Sequence, residues 1–131
     1  MKQKVSNNSS PRIKIIQKIY GSLMNPDAQI VYPKSQYKKY IKDVVTGTIE
    51  RTDLIEEIIT KHLENDINLP RTDKLLKIIL FSAVFELMYK INTPKNVIIS
   101  EYIQASEFFL EKAQIGYLNA ILDKLSKSIR K

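Results

Sequence analysis

The side chains of this chain best suited to chemistry are cations and a tyrosine. Between Pro11 and Met24, Lys14, Gln17 and Lys18 share one face at helical spacing, while Ile13, Ile16, Ile19, Tyr20 and Leu23 share another. Two ammonium groups and an amide on one face suit contact with phosphates, and a solvated helix face would look the same. Toward the other end, Tyr117 lies on the flank shared by Gln114 and Lys124. An aromatic ring beside a lysine can stack a nucleobase; a boundary tyrosine with its hydroxyl in water is at least as common. Covalent chemistry has far less to work with. Cysteine is absent, which removes disulfides, thiolate metal sites and cysteine catalysis together. His62 is the only histidine and has neither a second histidine nor a cysteine to begin a metal constellation, so it reads as a packing or surface residue. The chain has no glycine-rich phosphate loop, no paired-carboxylate site and no nucleophile with its base. The expectation is a binding protein, not an enzyme, with no metal and no cofactor.

The net charge of +7 belongs to the two ends. Residues 1–24 carry Lys2, Lys4, Arg12, Lys14 and Lys18, and residues 124–131 carry Lys124, Lys127, Arg130 and Lys131, with no acid in either stretch. The ends therefore hold +9 and the remainder −2. This asymmetry favours a polyanion as partner, and RNA or DNA over a membrane surface, because no helix pairs a basic face with exposed large apolar residues. Residues 1–10 lack the apolar stretch of a secretory signal and read as a flexible basic arm; residues 11–131 read as one domain, long enough to bury a core unaided. The expected compartment is the cytoplasm.

The elements that must position these groups centre on Leu75–Tyr89, where only Lys77, Ser82 and Glu86 are strongly polar. A helix apolar nearly all the way round is packed on several sides, and this run is too short and too charged for the ~20 apolar residues of a membrane span. Ahead of it, Ser10-Pro11 signals a helix start, giving a first helix over about 11–24 that Asn25-Pro26-Asp27 stops. Tyr40, Ile41, Val44, Val45, Ile55, Ile58, Ile59 and Leu63 then predict one long helix over about 35–64, with Gly47 the place for a bend and for close approach of a neighbour. Thr72 or Asp73 caps the hub, and Asn92-Thr93-Pro94 opens a segment with Val97, Ile98, Tyr102, Ala105 and Phe109 on one side. A last helix over about 112–130 buries Ile115, Leu118, Ile121, Leu122, Leu125 and Ile129. No period-2 pattern appears, so the fold class is all-α, a basic helical binding domain.

Taken as a string, Leu80-Phe81-Ser82-Ala83-Val84-Phe85-Glu86-Leu87, then Pro94, Val97, Ile99-Ser100-Glu101 and Phe109, then Tyr117-Leu118-Asn119-Ala120-Ile121-Leu122-Asp123-Lys124, resembles the NusB family of transcription antitermination factors. The family's closing pattern is similar to aromatic-V-N-G-V-L-D-K, behind an aromatic-E-L hub helix and a P-x-x-V-x-I-x-E helix, at the same spacings. Arg12, Gln17 and Tyr20 resemble the R…Q-x-x-Y of its first helix, and Lys42-Asp43-Val44-Val45-Thr46-Gly47 its (R/K)-D-L-(L/V)-x-G. The likeness covers about 12–130, with the loop near 25–34 unmatched.

The resemblance implies a compact bundle of about six helices in two subdomains. It implies that the chain pairs with the ribosomal protein acting as Nus factor E, grips the single-stranded boxA element of ribosomal RNA operons, and joins the RNA polymerase antitermination complex. On that expectation Lys2, Lys4, Arg12, Lys14, Lys18 and Lys124 neutralise phosphates while Tyr117 stacks a base; about five phosphate contacts give a log-log salt slope near −3.5. Tyr20 matches a position facing the protein partner. The acid usual near the start of the hub falls on Leu76, leaving Asp73 one turn earlier as its substitute, and the arginine five further on falls on Phe81. Glu86 is a partner contact or, more simply, needs an internal hydrogen-bonding partner. The family's arginine cluster before the first helix is replaced by Asn7-Asn8-Ser9-Ser10. Homodimerisation through apolar bundle surfaces is open. Two other readings compete: an accessory module of a ribosomal RNA methyltransferase, and a helical DNA-binding regulator.

Overall fold

The computed structural model describes residues 10–131 other than residue 64. Six α-helices follow in order: α1 (Pro11–Met24), α2 (Lys38–Glu50), α3 (Thr52–Leu63), α4 (Lys74–Tyr89), α5 (Lys95–Ser106) and α6 (Lys112–Ile129), with a 3-10 turn at Leu69–Arg71 before α4. No strand occurs among the described residues. The expected arm, with Lys2 and Lys4, lies outside them.

Helix α4 is the hub. Every residue from Ile78 to Leu87 is buried, and the helix packs against all five others. An all-round apolar helix can lose its water only when surrounded, and the other helices complete that shell with Ile13, Ile16, Val44, Val45, Ile55, Ile59, Ile98 and Leu118, all 2% exposed or less. The Asp73 carboxylate caps its start, accepting from the Leu76 amide at 3.1 Å. Arg130 caps its end. The Arg130 guanidinium donates to the carbonyls of Glu86 (3.3 Å), Leu87 (2.9 Å) and Lys90 (2.8 Å), the negative end of the α4 dipole, and to that of Thr93 (2.5 Å) in the turn beyond.

The single long helix expected over 35–64 is two. The joint is at Arg51 rather than Gly47, and the Thr52 hydroxyl donates to the carbonyls of both Thr48 and Ile49 at 3.0 Å, a back-bonding pattern that bends helices. Gly47 serves close approach instead: a Cβ there would sit 2.2 Å from the Phe85 ring, so the missing side chain is what seats α2 on the hub. Ser10 flanks α1 with extended backbone, but its side chain makes no capping bond. Val97, expected on the buried side of α5, is exposed, while Ile98, Tyr102 and Ala105 are buried. No described helix is long and apolar enough to cross a membrane.

Candidate nucleic-acid interface and partner groove

Two of the expected contact residues are turned inward. Glu86 is fully buried, and its carboxylate accepts from Arg12 Nε (3.1 Å), from Arg12 Nη2 (2.7 Å), and from the hydroxyls of Tyr40 and Tyr102. Arg12 is only 11% exposed, lies over the Tyr40 and Tyr102 rings, and reaches Glu101 at 3.9 Å. The guanidinium is committed to this carboxylate, and the carboxylate itself has no exposed surface. Arg12, expected at RNA, and Glu86, expected at the partner, are thus engaged with each other inside the fold, where together they tie α1, α2 and α5 to the hub. Burial by itself disfavours the Arg12 cation, but the hydrogen bond and charge of Glu86 outweigh it and hold the cation firmly. Burial and the same carboxylate push both tyrosine hydroxyls well above their usual range.

Lys14 and Lys18 are four residues apart on α1, and both line one cleft of about 260 Å³ with Tyr32, Pro33, Lys34, Ser35, Lys38 and Ile41. Sequence reasoning singled out the first two lysines and missed Lys34 and Lys38. The only available signal was their own i,i+4 spacing, in a stretch without clear periodicity.

Tyr117 and Lys124 meet at a second place. The Tyr117 hydroxyl donates to the Asp66 carbonyl at 3.0 Å, and the Lys124 ammonium pairs with the Asp66 carboxylate. Tyr117 remains 42% exposed, with its hydroxyl held above the usual tyrosine range by partial burial and by the Asp66 charge. The charge of Lys124 is thus partly answered at home. Lys127 is likewise paired with Asp123 at 3.1 Å. The structure brings Lys14 together with Lys18, and Tyr117 with Lys124, but anchors the pairs to different loops, 32–38 and 65–68.

On another face, Ile19, Leu23, Ile49, Ile78 and Phe81 line a groove of about 390 Å³ with Lys74 and Lys77 among its other walls. Leu23 is 51% exposed, and Tyr20, next along α1 from Ile19, is 39% exposed. Thr48 also lines the groove, and its buried hydroxyl finds no partner among the described residues. Phe81, at the position where an arginine was expected, helps make the groove apolar. Asp73 is committed to capping α4, and Leu76 is buried.

Comparison with known proteins gives these surfaces their setting. A solved structure of T. maritima NusB superposes with a TM-score of 0.77 over 89% of this chain and 88% of that one, at 21% identity, which establishes the shared fold. The transcription antitermination protein NusB of Rickettsia bellii is 32% identical over 94% of this chain and 92% of its own length. That of Coxiella burnetii is 38% identical over 70% of this chain and 65% of its own, and that of Sphingopyxis alaskensis 26% identical over 100% and 99%. The NusB family pattern itself matches residues 4–127, so this chain, an all-helical bundle built on a buried hub, belongs to the NusB family of non-enzymatic transcription antitermination factors.

Proposed function

We propose that this protein binds boxA-type single-stranded RNA of ribosomal RNA operons together with the ribosomal protein acting as Nus factor E. The pair then joins the cytoplasmic RNA polymerase complex that suppresses termination. The observation that carries the reading is Tyr117: an aromatic side chain held by its hydroxyl on Asp66 while much of it stays in solvent, in a chain of this family. A ring positioned in advance loses little freedom on stacking a base. Lys14 and Lys18, with Lys2 and Lys4 ahead of them, supply phosphate contacts that give affinity with little sequence choice. With Arg12 buried and Lys124 paired, about four such contacts remain, for a single-strand salt slope near −2.8.

The ribosomal partner takes the apolar groove beside Tyr20. Leu23 and Ile49 offer exposed apolar area, with Phe81 on the same wall. The test is a titration of labelled boxA and scrambled RNA, with and without the ribosomal protein, repeated for Tyr117→Ala and for Lys14→Ala/Lys18→Ala. Partner-tightened boxA binding is expected, with the tyrosine change lowering discrimination and the lysine changes weakening both RNAs alike. Equal affinity for the two RNAs in the partner's presence overturns the boxA role. Light scattering on the free protein shows whether a second copy occupies the groove instead.

A further inference from the structure

The positive charge of this molecule is not spread where its sequence places it. At the tail, Lys124 and Lys127 are paired with Asp66 and Asp123, and Arg130 is spent on α4 carbonyls; on α1, Arg12 is spent on Glu86. Lys39 and Lys90 both pair with Asp43. The four lysines around the α1 cleft are different: Lys14, Lys18, Lys34 and Lys38 line it together, no carboxylate lines it, and none of the four forms an ion pair with a described residue. Lysines four apart on a helix repel one another, so Lys14 and Lys18 carry an unfavourable pairing that this fold leaves without a counter-charge. A third cation sits at the start of α2, where the helix has no capping side chain and no acid in its first turn. The positive end of that helix dipole adds to the field of the ammonium groups. Ser35 and Tyr32 complete the walls with hydroxyl groups able to donate to an anion.

We propose that this cleft is a phosphate-gripping site in which Lys34 and Lys38, facing Lys14 and Lys18, hold backbone phosphates of the single-stranded RNA. This assignment rests on the RNA-binding reading above and extends it onto the loop and the start of α2. A phosphodiester strand, charged at every residue, fits better than an acidic peptide because four lysines and no carboxylate line the cleft, with Pro33 and buried Ile41 its apolar lining residues. Point cations on flexible stems follow a backbone whatever its bases. The ligand chemistry is the phosphate anion, so a soluble oligophosphate is the other source that could fill the cleft.

The experiment compares wild type, Lys34→Ala/Lys38→Ala and Lys34→Arg/Lys38→Arg by anisotropy of a labelled single-stranded RNA across a salt series, with far-UV circular dichroism to show that all three are folded. Both lysines are exposed, so the fold is expected to be unchanged. Loss of two phosphate contacts lowers the magnitude of the salt slope by about 1.4, which at ~0.1 M salt is a loss of about 25-fold in affinity. The loss is expected for boxA and scrambled RNA alike, and the arginine variant retains the wild-type slope. RNA binding by the wild type with an unaltered slope in the alanine variant overturns this assignment alone. No RNA binding by the wild type overturns the RNA-binding reading and this one with it. A third arm titrates inorganic tripolyphosphate: if the alanine changes weaken tripolyphosphate binding but not RNA binding, the cleft serves a soluble anion and the backbone assignment is overturned.

Discussion

Replacing Glu86 by glutamine tests whether the buried knot, and not surface chemistry, is the work of Arg12. The carboxylate is fully buried and accepts four hydrogen bonds, two from Arg12 and one each from Tyr40 and Tyr102. Glutamine keeps the size but removes the charge, leaving a guanidinium 11% exposed with Glu101, itself at 3.9 Å and part-exposed, as its remaining counter-charge. Removing one partner of a buried pair costs about 3–5 kcal/mol, because the survivor stays dehydrated and unpaired. For a domain of this size that corresponds to a Tm lower by about 10–20 °C. Urea unfolding followed by far-UV circular dichroism measures it, with the midpoint falling and the slope unchanged if compactness is preserved. Arg12→Met alone is expected to lose a similar amount. The triple change Arg12→Met/Glu86→Leu/Tyr102→Phe removes the charges and the buried hydroxyl together, and recovers most of either loss, since apolar replacement of a whole buried pair is often neutral or better. Single changes that each cost under ~1 kcal/mol, or losses that simply add, would refute the account of a coupled buried pair.

The same knot sets an alkaline limit. The Tyr102 hydroxyl is raised well above 10.0 by burial and by Glu86, so the folded state keeps a proton that the unfolded chain releases near pH 10.0. Stability is then fully present below pH ~10 and falls as pH rises above it, at up to about 1.4 kcal/mol per pH unit for this group, and Tyr102→Phe flattens that fall in pH-dependent unfolding curves. Glycine substitutions separate space from propensity. At Gly21, in α1, an added Cβ meets nothing within 4 Å, so Gly21→Ala is expected to stabilise by about 0.8–1.0 kcal/mol. At Gly47 the same methyl meets the buried Phe85 ring at 2.2 Å, and the overpacking cost of ~1–3 kcal/mol outweighs that gain, so Gly47→Ala lowers the denaturation midpoint.

Much of the architecture follows from pattern alone. A fifteen-residue run with three strongly polar positions can lose its water only inside a shell of other helices, and that makes α4 the hub before any coordinates are known. The proline and asparagine stops set the bounds of α1 in the same way, because they act through the local backbone. The break between α2 and α3 was not legible: glycine lowers helix preference wherever it stands, but whether a helix bends there depends on what packs against it, and here the Phe85 ring closes over Gly47 while Thr52 competes for carbonyls further on.

Charge shows the same division more sharply. Counting residues locates the excess at the two ends of the chain, and that count is a property of sequence alone. Which cations remain available is decided by what lies within a few ångströms of each after folding, since pairing falls off with distance through space, not along the chain. Arg12 finds Glu86 across 74 positions, Lys124 finds Asp66 across 58, and Arg130 finds the end of α4. Lys34 and Lys38, unremarkable in a loop and at a helix start, are folded against Lys14 and Lys18 and left unanswered. The composition of the chain determined that it would be basic and helical; only the packing of α1 and α2 on the hub decided that four unpaired lysines stand together in one cleft.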